Sequence, residues 1–415
     1  MNLIRPSRFL PGAVLAACLV QCLCAALAGA QERLAIRVAE FNIEDARTDE
    51  ISNPANPRLK RIAEIIQRIR PSVLLLSEIA YDGPGAPGFK EGATPGRNAQ
   101  LFADNFLAVP QAPDVRPLRY RAFMAPTNTG QSSGLDLDRN GTVVSDYPAV
   151  PPRGTQASPE ALAYAGDCWG FGTFPGQYGM ALLVDDRLKI LTDRARTFRL
   201  LPWDYMPGAH LPSRADGTPW FTDAERHIVR LSSKSHWDVP VEMPGGAVLH
   251  VLCSHPTPPV FDGPEKRNAR RNHDEIRFWA DYINSEPYIV DDTNTPGGLA
   301  EGSWFVIMGD LNADRNKGDN FKEPIGTLLL ANPRVNASCT PVSDTEVPGL
   351  ETTDTAAFKM RVDYILPSKQ IDIARCGMWR IAPGPPGSPF PSDHFPVWAE
   401  LVLPPLPGSA PAPSR

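Results

Sequence analysis

Acidic, amide and imidazole side chains recur along this chain at the ends of predicted apolar strands. Carboxylate and amide oxygens suit hard cations such as Mg²⁺ or Mn²⁺, and a histidine oriented by a carboxylate can exchange protons. Hydrolysis of a phosphate ester needs both, because a cation neutralises the phosphate oxygens while a base takes a proton from water. The residues that indicate this chemistry are Asn42, Glu78, His255, Asp310, Asn312, Asp363, Asp393 and His394.

The hydrophobic pattern predicts the elements that position these residues. Isoleucines at helical spacing predict an amphipathic helix over residues 57–70. The wholly apolar run at residues 73–76 is typical of a strand buried on both faces. Further strands are predicted at residues 33–43, 179–184, 228–241, 247–254, 304–308, 361–366 and 396–402, and a second long helix at residues 265–282.

Six short segments carry these residues in a fixed order. They are Phe41-Asn42-Ile43-Glu44, Leu76-Ser77-Glu78, Ser254-His255-Pro256, Gly309-Asp310-Leu311-Asn312, Arg361-Val362-Asp363-Tyr364 and Ser392-Asp393-His394-Phe395-Pro396-Val397. In this order they resemble the endonuclease/exonuclease/phosphatase family, which has the deoxyribonuclease-I-like fold. The resemblance implies an α/β, four-layer sandwich of two packed mixed β-sheets flanked by helices. We expect one catalytic domain over residues 31–403 with a loop insertion at about 82–177, followed by a disordered tail at residues 404–415.

The resemblance also implies a role for each residue of the metal side of the site. Glu78 would be the metal carboxylate, with Asn42 and Asp393 as further ligands, either directly or through water. Asp310 would orient or deprotonate the attacking water, and Asn312 would hold a phosphate oxygen or fix Asp310.

On the phosphate side, the resemblance implies that His394 contacts the scissile phosphate, with Asp363 as its orienting carboxylate. His255 would be a second phosphate contact or the leaving-group acid. Each of these residues, and those of the metal side, also has a purely structural interpretation as a strand-end cap, a salt bridge or a turn.

The segment from Asp136 to Gly141 has the spacing of a calcium loop. Asp136, Asp138 and Asn140 alternate, and glycine follows at the sixth position. The twelfth position is Tyr147 rather than Glu, so the loop departs from a complete EF-hand. Both Ca²⁺ bound at residues 136–146 and a plain Asp/Gly turn remain open.

A basic and polar set alternates between residues 230 and 238. Its members are Arg230, Ser232, Lys234, His236 and Asp238. They could line a cleft for an anionic substrate, or they could form a solvated strand face.

Residues 1–30 are typical of a secretory signal peptide. Two arginines precede an apolar stretch, and Ala28-Gly29-Ala30 is a small-residue cleavage site. We therefore expect export to the periplasm or the extracellular space. Leu15-Ala16-Ala17-Cys18 resembles a bacterial lipoprotein box, so lipid anchoring at Cys18 is an alternative.

The cysteines of the mature chain, Cys168, Cys253, Cys339 and Cys376, permit two disulfides in three pairings or four buried thiols.

The formal net charge of -6 gives no long-range attraction for a polyanion. The charge favours a small phosphate ester, hydrolysed by a phosphatase or phosphodiesterase, over long nucleic acid. Two alternatives stay open: a secreted endonuclease or exonuclease acting on DNA or RNA, and a non-catalytic binding protein on the same fold. We expect a monomer without a membrane span.

Overall fold

The computed structural model describes residues 33–405, whose strands form two mixed β-sheets. In chain order the strands are β1 (Ala35–Ala46), β2 (Val73–Ile79), β3 (Tyr120–Phe123), β4 (Met180–Asp185), β5 (Lys189–Ile190), β6 (Arg196–Thr197), β7 (His236–Glu242), β8 (Val248–Ser254), β9 (Trp304–Asp310), β10 (Asp363–Pro367), β11 (Asp372–Met378) and β12 (Val397–Val402). The first sheet has the order β11-β12-β1-β2-β4-β3, and the second has the order β10-β9-β8-β7-β5, with β6 paired to β7. Strands β1 and β2 run parallel, as do β8 and β9, while the other pairs are antiparallel.

Helices cover the outer faces of the two sheets. They are α1 (Thr48–Ile51), α2 (Pro57–Ile69), α3 (Asn98–Phe102), α4 (Pro159–Gly166), α5 (Asp223–Arg226) and α6 (Arg267–Ile283), with shorter π and 3₁₀ turns at Ala103–Leu107, Thr192–Arg194, Trp203–Tyr205 and Ile325–Leu330. The Asn56 side chain caps α2 by accepting a hydrogen bond from the Leu59 backbone N–H, and Pro57 suits the first turn. The apolar stripe of α2 packs on the first sheet, and that of α6 packs on the second. A third core lies between the sheets, so the predicted four-layer α/β sandwich is confirmed.

The ends of the strands converge at one edge of the sandwich. Asn42 and Glu78 lie near the carboxyl ends of the parallel strands β1 and β2. Asp310 ends β9, which runs parallel to β8, and Asp363 begins β10 directly opposite Asp310 in the antiparallel register. Because the carboxyl ends of parallel strands meet at the same edge of a sheet, the fold brings these distant segments together.

Several elements differ from those predicted. Residues 228–235 do not form a strand; β7 begins at His236. The backbone carbonyls of Arg230, Leu231 and Ser232 instead accept hydrogen bonds from the Arg271 side chain. The segment 82–177 contributes the helix α3, the edge strand β3 and the helix α4, so it is not loop throughout. The strand β11 was not predicted, because its exposed edge position leaves it without a continuous apolar pattern.

Cys339 and Cys376 form a disulfide, whereas Cys168 and Cys253 are buried thiols. Neither the two-disulfide arrangement nor the arrangement of four thiols is therefore correct.

Three predictions concern segments outside the described residues: the signal peptide, the cysteine at position 18 and residues 406–415 of the tail. Over residues 33–405, no helix is long and apolar enough to cross a membrane.

Candidate active site

Asn42 joins two carboxylates that are far apart in sequence. Its Nδ2 lies 3.1 Å from Oε1 of Glu78 and 3.0 Å from Oδ2 of Asp310. Its Oδ1 accepts a hydrogen bond of 3.0 Å from the backbone N–H of Glu44. The amide nitrogen of Asn42 thus contacts both acids, and the amide oxygen contacts the backbone. This geometry supports a positioning role for Asn42, and its predicted role as a metal ligand stays a prediction.

The backbone around Asn42 is bent to make these contacts. Glu44 and Asp45 have positive φ values of 53° and 48°, and the register between β1 and β2 shifts between Asn42 and Ala46. The Asp45 N–H, turned by this bulge, donates to Oε2 of Glu78 at 3.0 Å. Residues with side chains adopt positive φ rarely, and such strain often lies at functional sites.

Glu78 is itself a strained residue, with a φ of 62° at the end of β2. Burial raises the pKa of its carboxyl group to about 7, although the hydrogen bond from Asn42 opposes the shift. Among residues 33–405, no Lys or Arg forms an ion pair with Glu78 or with Asp310, and the imidazoles of His255 and His394 lie within 4 Å of Asp310. Asp310 is buried and Glu78 is partly buried. Carboxylates so placed without a Lys or Arg partner are costly, and a divalent cation would compensate them.

Asp310 meets two histidines on its other side. Its Oδ2 lies 3.4 Å from Nε2 of His255 and 3.6 Å from Nε2 of His394. Nδ1 of His394 lies 3.0 Å from Oδ2 of Asp363. All four side chains are buried, and one ligand-type atom each from Asp310, Asp363 and His394 lies within 4.8 Å of the others. The structure therefore brings together the predicted acid/base residues.

The electrostatic environment differentiates the two histidines. Burial alone would lower the pKa of His394, but Asp363 and Asp310 raise it well above its ordinary value. Burial lowers the pKa of His255, and the charges of Lys234 and His394 lower it further. Burial raises the pKa of Asp310 to about 6, while His394 opposes the shift. The site thus holds one cationic and one neutral imidazole beside the same acid.

Asn312 and Gly309 account for the shape of the loop around Asp310. Asn312 has a φ of 52°, and its backbone N–H donates to Oδ1 of Asp310 at 2.9 Å. Its Nδ2 donates to the Pro256 carbonyl at 3.1 Å. A Cβ at Gly309 would lie 1.9 Å from the Ser254 carbonyl oxygen, so a side chain there would push β9 away from β8. Of the two predicted roles of Asn312, this geometry favours fixing Asp310.

Asp393 differs from the other predicted residues because its side chain is exposed. Its charge raises the pKa of Glu78 and of His394, after larger effects from burial and closer groups. The Asp393 carbonyl accepts a hydrogen bond of 2.7 Å from Ala357. The neighbouring Ser392 Oγ donates to the Asn42 carbonyl at 2.7 Å and so ties this loop to β1. A ligand role of Asp393 remains a prediction.

Two residues of the site were not assigned from sequence. Glu40 is fully buried and accepts a hydrogen bond of 3.1 Å from Ser77 Oγ. Burial raises the pKa of Glu40 well above its ordinary value, and the nearby carboxylates of Asp363 and Asp310 raise it further. Glu40 therefore holds its proton more tightly than an exposed glutamate does. Its position in β1, two residues before Asn42, places it on the same side of the strand and was the available signal.

The second such residue is Lys234, which belongs to the alternating set of residues 230–238. It is buried, and its Nζ donates to the Pro256 carbonyl at 3.2 Å. Burial lowers its pKa, which the acids Glu275, Glu78 and Asp310 partly restore. His236 and Asp238 are buried among structural partners instead. The set is thus not a solvated strand face.

At the predicted calcium loop, Asp167 takes the place of Asn140 in the group of side chains that lie close together. Ligand-type oxygens of Asp136, Asp138 and Asp167 lie within 4.8 Å of one another. Asn140 instead folds back on Asp138, with Nδ2 3.0 Å from Oδ2. Asp167 accepts backbone N–H groups of Leu137 and Val144 at 2.9 Å and 2.8 Å. These hydrogen bonds by themselves hold a compact turn, and Ca²⁺ binding stays a prediction.

Comparison with known proteins identifies a family match. Residues 41–394 match the model of the Endonuclease/Exonuclease/phosphatase family. No curated protein matches the chain. Similar solved structures include an endonuclease/exonuclease/phosphatase from Beutenbergia cavernae DSM 12333, at 17% identity over 90% of this chain and 72% of that chain, with a TM-score of 0.48. A second is the human Nocturnin catalytic domain with bound sulfate, at 14% identity over 90% of this chain and 95% of that chain, with a TM-score of 0.45. A third is a mannosyl-6-phosphatase from Bacteroides thetaiotaomicron VPI-5482, at 12% identity over 89% of this chain and 100% of that chain, with a TM-score of 0.44. Nothing about activity follows from likenesses this distant.

Proposed function

Because the chain belongs to the endonuclease/exonuclease/phosphatase family, whose members are generally hydrolases of phosphoester bonds, we propose that it is a divalent-metal-dependent phosphoesterase. One observation carries the proposal. The Asn42 amide joins the partly buried carboxylate of Glu78 to the buried carboxylate of Asp310, while Asp310 also lies beside His394 and His255. A purely structural cluster would pair its acids with Lys or Arg, whereas neither acid has such a partner among residues 33–405 and His394 offsets their charge only in part.

The acids fit a hard cation. Glu78 would hold it, and Asp393 could add an oxygen ligand at the exposed side. A bound Mg²⁺ or Mn²⁺ would neutralise phosphate oxygens and polarise the phosphorus centre. An all-oxygen donor set is the one that these ions prefer over softer metals.

The protein residues divide the proton transfers between them. Asp310, held by Asn42 and the Asn312 N–H, is placed to accept a proton from the attacking water. His394 carries a proton on Nδ1 directed at Asp363, so its Nε2–H can donate to a non-bridging phosphate oxygen. His255 is neutral, and its Nδ1 is buried without a partner among the described residues. It can therefore hydrogen-bond the phosphate or the leaving oxygen without adding charge.

The substrate in this proposal is a small phosphate ester. The formal charge of -6 opposes the binding of long polyanions. A secreted nuclease remains the alternative, and cleavage of DNA or RNA would select it. The third alternative, a non-catalytic binding protein, would be selected by the lack of any hydrolysis.

Export is part of the same proposal. The disulfide between Cys339 and Cys376 supports an oxidising compartment, because such bonds are rare in the reducing cytosol. Residues 1–30 would direct this export. N-terminal sequencing of secreted protein would support cleavage after Ala30 if the mature chain begins at Gln31.

The proposed activity can be tested with a panel of esters. The panel contains aryl phosphate monoesters, aryl phosphate diesters, and linear and nicked DNA, each with Mg²⁺, Mn²⁺, Ca²⁺ or EDTA. We expect metal-dependent hydrolysis of at least one small ester at a rate well above that of DNA cleavage. The Asp310→Asn variant is the control, since contaminating phosphatase activity would persist in it.

A further inference from the structure

Arg230 is held over an aromatic ring without an acidic partner. Its guanidinium carbon lies 4.5 Å from the centroid of the Trp169 ring, and its Nη1 donates to Oδ1 of Asn128. Among residues 33–405, Arg230 forms no ion pair with a carboxylate, although Asp292 lies close enough to raise its pKa. Burial and the neighbouring charges of Arg199 and Arg271 lower the pKa of Arg230 to about 10. A half-buried cation among like charges is unfavourable unless something anionic joins it.

Arg199 is the second cation of this cluster. Its side chain makes no hydrogen bond or ion pair to the described residues, although its backbone N–H donates to Oδ2 of Asp292 at 3.3 Å. Asp292 could have paired with either arginine. Its oxygens instead accept Thr197 Oγ1 at 2.6 Å and the Leu200 N–H at 2.8 Å. Neither guanidinium group therefore forms an ion pair among the described residues, and Asp292 offsets the charge of Arg230 only in part.

The surrounding contacts hold Arg230, Trp169 and the backbone of Arg199 in place. Nδ2 of Asn128 donates to the carbonyls of Arg199 and Ser232 at 2.7 Å and 2.8 Å. Nη2 of Arg271 donates to the carbonyls of Trp169 and Arg230, both at 2.8 Å. Arg271 is thus committed to the backbone, and it fixes Trp169 beside Arg230. Such preorganisation reduces the entropy cost of binding a ligand.

The cluster adjoins the catalytic centre. The backbone N–H of Asn128 donates to the Lys234 carbonyl at 2.9 Å, so one residue contacts both Arg230 and Lys234. Lys234 in turn is within electrostatic range of Glu78 and Asp310. Because Arg230 and Lys234 are four positions apart in the chain, their Cα atoms are at most about 14 Å apart. One small molecule can span such a distance.

We propose that Arg199, Arg230 and Trp169 form a subsite for a second anionic group of the substrate. This inference rests on the proposed function and names the substrate class: small phosphate esters that carry an additional phosphate, sulfate or carboxylate group. Arginine is the side chain suited to such groups, since its planar fork makes two parallel hydrogen bonds. The Trp169 ring covers one face of the Arg230 guanidinium and Asn128 takes its Nη1, so Nη2 and Nε are the donors left for the ligand.

Binding of inorganic sulfate tests the subsite without any catalysis. Calorimetric titrations are carried out in EDTA, at constant ionic strength set with chloride. We expect one sulfate site in the wild type and in Asp310→Asn, with affinity at least tenfold lower in Arg199→Gln and in Arg230→Gln. Arg199→Gln should fold normally, because the Arg199 guanidinium has no partner to lose. The matched control is Arg121→Gln, which removes an exposed arginine of β3. Unchanged sulfate affinity in both subsite variants would overturn the proposal.

Hydrolysis of a matched pair of esters tests the consequence for substrate choice. Phenyl phosphate and 4-carboxyphenyl phosphate, or the corresponding diesters, differ by one remote anionic group. We expect kcat/KM of the wild type to favour the carboxylated ester by about tenfold or more, and this preference to fall towards unity in Arg230→Gln but not in Arg121→Gln. A wild-type ratio near one contradicts the subsite. If no ester is hydrolysed, the proposed function fails, and the sulfate titration still decides on the subsite.

Discussion

Nδ1 of His394 lies 3.0 Å from Oδ2 of Asp363, and both side chains are buried. When the Nδ1–H of His394 donates a hydrogen bond to Asp363, the opposite ring nitrogen, Nε2, lies 3.6 Å from Oδ2 of Asp310. A carboxylate that holds a histidine in this way fixes both its orientation and its protonated form. Catalysis in our account depends on this pair as much as on the metal carboxylates.

The Asp363→Asn variant removes the charge and keeps the shape. We expect kcat to fall by about 100-fold or more, because the loss of the carboxylate lowers the pKa of His394 and removes its proton at neutral pH. The alkaline limb of the pH–rate profile should therefore move to lower pH. Asp372→Asn, at an exposed acid of β11, serves as the control. An unchanged kcat and an unchanged alkaline limb would show that Asp363 does not act through His394.

Glu40 opposes folding at neutral pH. Its folded pKa lies above the ordinary value of 4.5, so its contribution to stability is lost as the pH rises above 4.5 towards the folded pKa. We expect Glu40→Gln to raise the free energy of unfolding at pH 8 by at least about 1 kcal/mol, with the difference shrinking near pH 4.5. Urea denaturation in EDTA measures both values. Glu64→Gln, at the α2 ion pair with Arg68, should change little, and destabilisation of Glu40→Gln at pH 8 would refute a neutral Glu40.

His236 should make the fold sensitive to acid. Its Nδ1 lies 2.6 Å from Ser232 Oγ and its Nε2 lies 2.9 Å from the Glu275 carbonyl, and burial lowers its pKa from 6.5 to about 3. Because the folded pKa is depressed, the contribution of His236 is complete above pH 6.5 and is lost as the pH falls towards 3.

The wild type should therefore lose about 1.4 kcal/mol of stability per pH unit from this group over that interval. His236→Gln should show a correspondingly shallower dependence of the unfolding free energy on pH. The exposed His227 offers His227→Gln as a matched control with the wild-type slope. Equal slopes in the wild type and His236→Gln would rule out a buried neutral imidazole at this position.

The disulfide closes a loop with a sequence separation of 37 residues. Loop-closure entropy predicts that its loss costs about 4 kcal/mol. Dithiothreitol should lower the unfolding free energy of the wild type by about 2–4 kcal/mol and leave that of Cys376→Ser unchanged. If the reductant affects both proteins equally, the effect does not arise from this bond.

The sequence predicted those parts of the site that are defined by strand ends. Asn42, Glu78, Asp310, Asp363 and His394 converge because each lies at or near the end of a strand with a strong apolar pattern. Such a pattern indicates a buried strand, and it can be recognised from residues that are neighbours in the sequence.

Other parts depend on long-range contacts that no local pattern reports. Glu40 is buried in β1 beside Asp363, more than 300 positions away, so its raised pKa follows from packing alone. Residues 228–235 alternate like a strand, yet Arg271 from α6 takes their carbonyls. The pairing of Cys339 with Cys376 likewise depends on β11, whose exposed residues gave no strand signal.

The most direct test of the account is the dependence of ester hydrolysis on added Mn²⁺ in three proteins freed of metal by EDTA. The wild type should be inactive until Mn²⁺ is restored. Glu78→Gln should need at least about tenfold more Mn²⁺ for half-maximal activity. Asp310→Asn should remain inactive at every concentration, with wild-type thermal stability. Hydrolysis that persists in EDTA, or wild-type activity in pure Asp310→Asn, would contradict the central claim that Glu78 and Asp310 form a metal-dependent phosphoesterase site.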